Sequence, residues 1–211
     1  MTKIVLYLVI TALVSYLLGG INGAILTSKL FFRKDVRKFG SGNAGLTNYT
    51  RNFGSGTALL VILVDVLKAV ISVALGGWLL GLEGYDVLGK LFAGFCVVIG
   101  HIYPAYYHFH GGKGVLCGCV LSWMVDWRLG LICISIFIVT VVFTKYVSLG
   151  SILGTAAFPF LMMIFGYGSL EVIISFIAVA IIIFAHRENI VRLIKGQESK
   201  LSVGNNSTRP S

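Results

Sequence analysis

TALLVILVDVLKAVISVALGGWLL, residues 57–80, decides the fold. Asp65 and Lys68 are the only charged residues in a largely apolar run of helical composition, and about 20 such residues cross a hydrocarbon core of about 30 Å. Outward from it, similar runs recur at 4–32, 91–108, 115–125, 129–144, 152–165 and 170–185. The chain of 211 residues is 57% apolar and 12% charged, with a mean hydropathy of +0.92, whereas a soluble domain carries about 25% charged residues. This pattern predicts an all-α, polytopic integral membrane protein with seven transmembrane helices. Residues 1–200 would form one bundle, and the serine- and asparagine-rich stretch 201–211 a disordered tail.

Two segments are unusual. The first, 4–32, is interrupted by Gly19, Gly20, Asn22 and Gly23, and is too long and too weakly flanked for a cleaved leader. Asn22 reads either as an interhelical contact or as a site residue. The fourth, 115–125, is barely long enough unless it begins inside the glycine-rich loop before it. Within 57–80, Asp65 and Lys68 share a helical face at i,i+3 spacing, which predicts a structural ion pair, because buried charges are costly unless paired.

The formal charge of +9 does not point to nucleic acid, since the basic residues cluster in short connections. Thirteen of the seventeen lysines and arginines fall on one side if the loop after the first span is cytoplasmic: Lys29, Arg33, Lys34, Arg37, Lys38, Arg51, Lys113, Lys145, Arg187, Arg192, Lys195, Lys200 and Arg209. Lys3, Lys90 and Arg128 fall on the other. The bias predicts an outside N-terminus and an inside C-terminus, and it puts every polar island on the cytoplasmic face. Cys96, Cys117, Cys119 and Cys133 lie in apolar segments without metal-ligand spacing and read as small buried hydrophobes.

The first polar island is FGSGNAGLTNYTR, residues 39–51. Gly40, Gly42 and Gly45 match GxGxxG literally, but the match follows a membrane helix rather than a strand, so a dinucleotide fold is excluded. The physics survives: glycines let successive N–H groups converge on an anion. Ser41, Asn43, Thr47 and Asn48 add donors, and Arg51 a bidentate fork. The second island, GHIYPAYYHFHGGKG at 100–114, sets Lys113 as a point charge among Gly111, Gly112 and Gly114. It lacks Walker A spacing and the hydroxyl residue after the lysine. His101 reads as a helix-end or supporting residue, and with His108 and His110 has no carboxylate partner for a metal. Ser148 and Ser151 share a face and can donate to a phosphate; no nucleophile elbow accompanies them. His186, Arg187 and Asn189 sit within one turn at the end of the last span. Together these features describe a phosphate site at the membrane surface that opens onto lipid. Acyl transfer to a phosphorylated alcohol fits, and so does an anion transporter, although no paired inverted repeat supports one.

Taken in order, GSGNAGLTNYTR (40–51), GHIYPAYYHFHGGKG (100–114), KYVSLGS (145–151) and HRENIVRLIKGQESK (186–200) closely resemble the bacterial membrane glycerol-3-phosphate acyltransferases of the PlsY family. The resemblance covers nearly the whole chain. It implies transfer of a fatty acyl group from acyl phosphate to the 1-hydroxyl of glycerol 3-phosphate, giving lysophosphatidate and inorganic phosphate in a bacterial inner membrane. The first loop would hold the donor phosphate through Ser41, Gly42, Asn43, Gly45, Thr47 and Asn48. Arg51 and Lys113 would bind glycerol 3-phosphate or neutralise the phosphates, with Ser148, His186 and Asn189 at the acceptor site. No protein nucleophile, cofactor or metal is expected. A substrate phosphate would take the hydroxyl proton, with His186 as the alternative base. The implied partners are both substrates, membrane lipid and, functionally, an enzyme that supplies acyl phosphate; a monomer is favoured over an oligomer. Leu46, Tyr103, Lys145 and Gly150 depart from the usual family residues without changing the phosphate-binding types.

Overall fold

The computed structural model describes residues 2–201. Its helices run in the order α1 (Thr2–Gly20), α2 (Gly23–Phe32), α3 (Leu46–Phe53), α4 (Ala58–Gly81), α5 (Asp86–Ile102), α6 (Val115–Val125), α7 (Trp127–Thr144), α8 (Val147–Ile164), α9 (Ser169–Ala185) and α10 (Arg187–Ile194). No strand occurs among the described residues. The tail expected over 201–211 lies, beyond Leu201, outside the described residues.

Among the described residues, five spans are long and apolar enough to cross a membrane: Thr2–Phe32, Ala58–Gly81, Asp86–Tyr107, Trp127–Thr144 and Val147–Ile164. A sixth is counted if α9 and α10, bent by 59° at His186, are taken together. The expected fourth span is different. α6 has 11 residues, and at 1.5 Å per residue it covers about 16 Å, roughly half a hydrocarbon core.

Three boundaries differ from the sequence reading for local reasons. The first span breaks after Gly20, where Asn22 takes an extended conformation and its side chain accepts from the Ile25 N–H, starting α2 as a new helix. The first polar island is loop only as far as Gly45. From Leu46 it becomes α3, because Tyr49 turns inward onto Ala24, Ile25, Val36 and Val61 and stacks on Phe53. Ser148 and Ser151, expected in a connecting segment, lie in the first turns of α8.

Close approach between helices comes from glycine pairs. A Cβ on Gly76 of α4 would lie 2.4 Å from the Gly89 carbonyl of α5, and one on Gly100 of α5 would lie 2.2 Å from the Tyr16 carbonyl of α1. Such contacts supply dispersion between helices where lipid removes the hydrophobic driving force. On the other side α6, α7, α8 and α9 bury Leu121, Leu129, Cys133, Phe158, Met162 and Val179. A third cluster, with Val97, Val98, Cys117 and Ile182, joins α5 and α6 to α9. The outward faces carry Leu13, Leu59, Leu67, Val142, Phe160 and Ile177, all exposed, as lipid contact requires.

Candidate active site

A cavity of about 720 Å³ opens where the first glycine-rich loop, the loop before α6, the start of α8, and the bend between α9 and α10 meet. Of the residues expected at the site, Gly40, Ser41, Asn43, Gly45, Thr47, Asn48, Arg51, His101, Lys113, Gly114, Ser148, Ser151, His186 and Asn189 line it. Gly42, Gly111 and Gly112 do not. Segments separated by more than 100 residues thus converge around one cavity.

The first loop is tied from inside. Gly40 and Gly42 adopt φ of +56° and +70°, the left-handed region that only glycine enters without strain. The two N–H donors of the buried Asn48 amide are shared among the carbonyls of Val36, Phe39 and Asn43, 3.2, 3.0 and 3.0 Å from Nδ2, and its Oδ1 accepts from the Ser41 N–H at 3.0 Å. Asn48 therefore borders the cavity, yet its polar atoms hold the loop's shape. That leaves the loop edge formed by Ser41, Asn43 and Gly45, with the N-terminus of α3, to face an anion.

The second loop is anchored on the end of α5. Gly111 N–H donates to the Ile102 carbonyl and Gly112 N–H to the His101 carbonyl, both at 3.0 Å; the Ala44 N–H then donates to the Gly111 carbonyl at 3.3 Å. A Cβ at Gly111 would lie 2.0 Å from the His101 carbonyl. Gly111 and Gly112 are required by this packing, and the result is that Lys113 projects into the cavity. Its ammonium donates to Asn189 Oδ1. Burial, and then the nearby Arg192 charge, pull the Lys113 pKa down to about 8.

At the far wall, His186 Nδ1 lies 2.8 Å from the Ile182 carbonyl. A carbonyl only accepts, so Nδ1 carries the proton, and in the neutral ring Nε2 holds a lone pair. Ser151 turns its hydroxyl back to the Val147 carbonyl at 2.9 Å. Ser148, by contrast, donates to Glu198 at 2.9 Å.

Glu198 is the site residue that the sequence reading missed, together with Arg192. Its Oε1 accepts from Ser148 and from Asn189 Nδ2 at 2.8 Å, and its Oε2 from Arg192 Nε at 2.7 Å. Burial alone would raise its pKa, but the hydrogen bonds from Arg192, Asn189 and Ser148 outweigh it and hold the carboxyl below its ordinary range. Arg51, on α3, donates to the Ser199 carbonyl at 3.2 Å, so the same segment reaches both walls of the mouth. A lone carboxylate among basic residues after α10 was the available signal.

Polarity changes with depth. The mouth carries Arg51, Lys113 and Arg192, whereas Leu121, Cys133, Ile134, Phe137, Phe158, Val179 and Ile182 line the interior. Ser148 and Phe158 are ten residues apart on α8, which places the apolar end about 15 Å below the mouth. Cations at the mouth above an apolar interior match the chemistry of an amphiphile with an anionic head.

Comparison with known proteins agrees with this geometry. The sequence model for "Glycerol-3-phosphate acyltransferase" matches residues 9–196. The chain is similar to glycerol-3-phosphate acyltransferases of Thermoanaerobacter pseudethanolicus, 43% identical over 93% of this chain and 96% of that one, and of Finegoldia magna, 40% identical over 93% and 97%. The crystal structure of PlsY, an integral membrane glycerol 3-phosphate acyltransferase, in its glycerol 3-phosphate form superposes with a TM-score of 0.84 at 31% identity, covering 92% of this chain and 96% of that one. The lysophosphatidic acid form of PlsY gives 0.81 at 29% identity, covering 92% and 95%. The chain belongs to the glycerol-3-phosphate acyltransferase family of the PlsY type.

Proposed function

We propose that this multi-pass membrane protein transfers a fatty acyl group from acyl phosphate to the 1-hydroxyl of glycerol 3-phosphate, releasing 1-acyl-glycerol 3-phosphate and inorganic phosphate. One observation carries the reading: a single cavity joins a mouth carrying Arg51, Lys113 and Arg192 to an apolar interior, in a chain of this family. Both substrates are phosphates, so two anions must be held side by side, and the two neighbouring loops offer two places for them. In this reading the first loop, with Ser41, Asn43 and Gly45, takes the donor phosphate. Lys113, Arg51 and Arg192 hold the acceptor phosphate.

Attack by the acceptor's 1-hydroxyl oxygen on the acyl carbonyl carbon forms the new ester. The bond from that carbon to the phosphate oxygen breaks, phosphate leaves with the electron pair, and the hydroxyl proton passes to a phosphate oxygen. Loop N–H groups and Lys113 stabilise the charge on the carbonyl and on the departing phosphate. His186, whose bond to Ile182 leaves the Nε2 lone pair available, is the alternative acceptor of the hydroxyl proton. No side chain needs to form a covalent intermediate, because fixing both reactants in one cavity supplies the advantage of proximity.

The distribution of basic residues supports seven membrane crossings, an outside N-terminus, and a mouth on the cytoplasmic side of a bacterial inner membrane. In that arrangement α6 and the loop before it make one crossing together, the loop dipping into the membrane. The protein works as a monomer fed by the enzyme that makes acyl phosphate. The donor is tested by offering the purified protein palmitoyl phosphate, palmitoyl-CoA and palmitoyl-acyl carrier protein separately, each with glycerol 3-phosphate. Only the first should yield lysophosphatidate; equal rates with palmitoyl-CoA would overturn the donor assignment.

A further inference from the structure

The break in the first span is held by two charges on its neighbour. α1 ends at Gly20 and α2 begins at Gly23, so the last carbonyls of one and the first amides of the other need partners. Lys68 Nζ of α4 donates to the Gly19 carbonyl at 3.0 Å and to the Ile21 carbonyl at 2.7 Å. Asp65 Oδ1, one turn earlier on α4, accepts from the Gly23 N–H at 3.2 Å. The two side chains are 3% exposed and 2.8 Å apart. A helix C-terminus carries partial negative charge and an N-terminus partial positive charge. Each member of the pair therefore faces the helix end of opposite sign.

Two contacts lead from this clamp to the glycine-rich loops. Asn22, inside the break, starts α2 through its Oδ1 and donates from Nδ2 to the Ala44 carbonyl at 3.0 Å. Ala44 in turn is bonded to Gly111. On the other side, His101 Nδ1 lies 2.9 Å from Lys68 Nζ. The same nitrogen lies 3.6 Å from Asp65 Oδ1, so both members of the pair face the ring, whose other nitrogen is Nε2. That nitrogen is 2.2 Å from where a Cβ on Gly112 would be, so the ring packs directly beneath the second loop.

We propose that Asp65, Lys68 and Asn22 are positioning residues: the charge pair, with its polarity set by the two helix ends, locks the break, and Asn22 and His101 transmit that lock to the loops at 40–45 and 111–114. The inference rests on the reading of these loops as phosphate-binding. An ordinary ion pair tolerates exchange of its members, whereas a clamp matched to helix ends does not.

The test compares the full-length wild type, the Asp65→Lys/Lys68→Asp exchange and Asn22→Ser, purified in detergent. Serine keeps the helix start but is too short to reach Ala44. Michaelis kinetics with palmitoyl phosphate and glycerol 3-phosphate are combined with thermal unfolding and with hydrogen exchange of residues 40–45 and 111–114. Asn22→Ser should unfold near the wild-type temperature, raise KM by about fivefold, the size of one hydrogen bond, and speed exchange in the first loop. The exchange variant should lose at least about tenfold in kcat/KM, with fast exchange in both loops. Wild-type exchange rates in the loops of Asn22→Ser overturn the proposal, and this outcome decides even if the exchange variant fails to fold. Activity of the exchange variant within about twofold of wild type also overturns it. The hydrogen-exchange arm is independent of the donor, so an error in the assigned reaction would appear only in the kinetics of the wild type.

Discussion

Replacing Lys113 by alanine removes the one ammonium that the second loop delivers into the cavity. Its head is half-buried and bonded to Asn189, and in the complex it would donate to a phosphate oxygen. A hydrogen bond to a charged group contributes about 1.5–3 kcal/mol, and about 1.4 kcal/mol is a factor of ten, so kcat/KM should fall by about 10-fold to about 150-fold. Removing a surface lysine would cost far less. The pH profile gives a second, independent signature. Lys113 is charged below its depressed pKa of about 8, so phosphate capture by the free enzyme should weaken as pH rises through about 8. Bound phosphate favours the ammonium, so kcat should hold to higher pH than kcat/KM does. Lys113→Ala should lack this alkaline limb, and Lys113→Arg should shift it upward. The assay is phosphate release by folded protein across pH, with unfolding temperature as the control. A loss below about threefold, or an unchanged alkaline limb in Lys113→Ala, would refute the assigned role.

Other residues give sharper or broader effects. Arg51→Ala should lower kcat/KM at least about tenfold through the glycerol 3-phosphate KM, read from initial rates, because one guanidinium donor to a phosphate is lost. Glu198→Gln should lower stability by about 1–3 kcal/mol and reduce activity as well, since its carboxylate joins Ser148, Asn189 and Arg192; thermal unfolding in detergent measures it. Gly112→Ala places a Cβ 2.2 Å from His101 Nε2 and 2.8 Å from the Ala44 carbonyl, so the loop must shift. Its KM for both substrates should rise at least about tenfold, and normal kinetics would show that the loop position is unimportant.

Composition and apolar runs carried most of the fold, because a bilayer leaves few architectures open to a chain with repeated spans. The short α6 was harder to judge: its 11 mostly apolar residues look like a weak span, and only the packed structure shows the glycine-rich loop set against the end of α5. α3 was hidden because its Thr47, Asn48 and Arg51 read as loop residues, while the inward contact of Tyr49 that fixes the helix is tertiary. At the site, Lys113, His186 and Asn189 were legible as polar groups stranded beside spans. Asn48 was not legible as a loop tie, since the sequence states its chemistry but not which carbonyls it meets. Asp65 and Lys68 do form the expected ion pair at 2.8 Å, and Asn22 proved to serve both as a helix start and as a contact to the first loop. Their common target, the break in the first span, could be seen only once the helices were packed.

The central claim is tested most directly by incubating the purified protein with palmitoyl phosphate and glycerol 3-phosphate and measuring inorganic phosphate and lysophosphatidate in the same samples. The account predicts that the two products rise together at a ratio of about one to one, and that neither rises without glycerol 3-phosphate. Phosphate release without lysophosphatidate, or no product from folded protein, would contradict it.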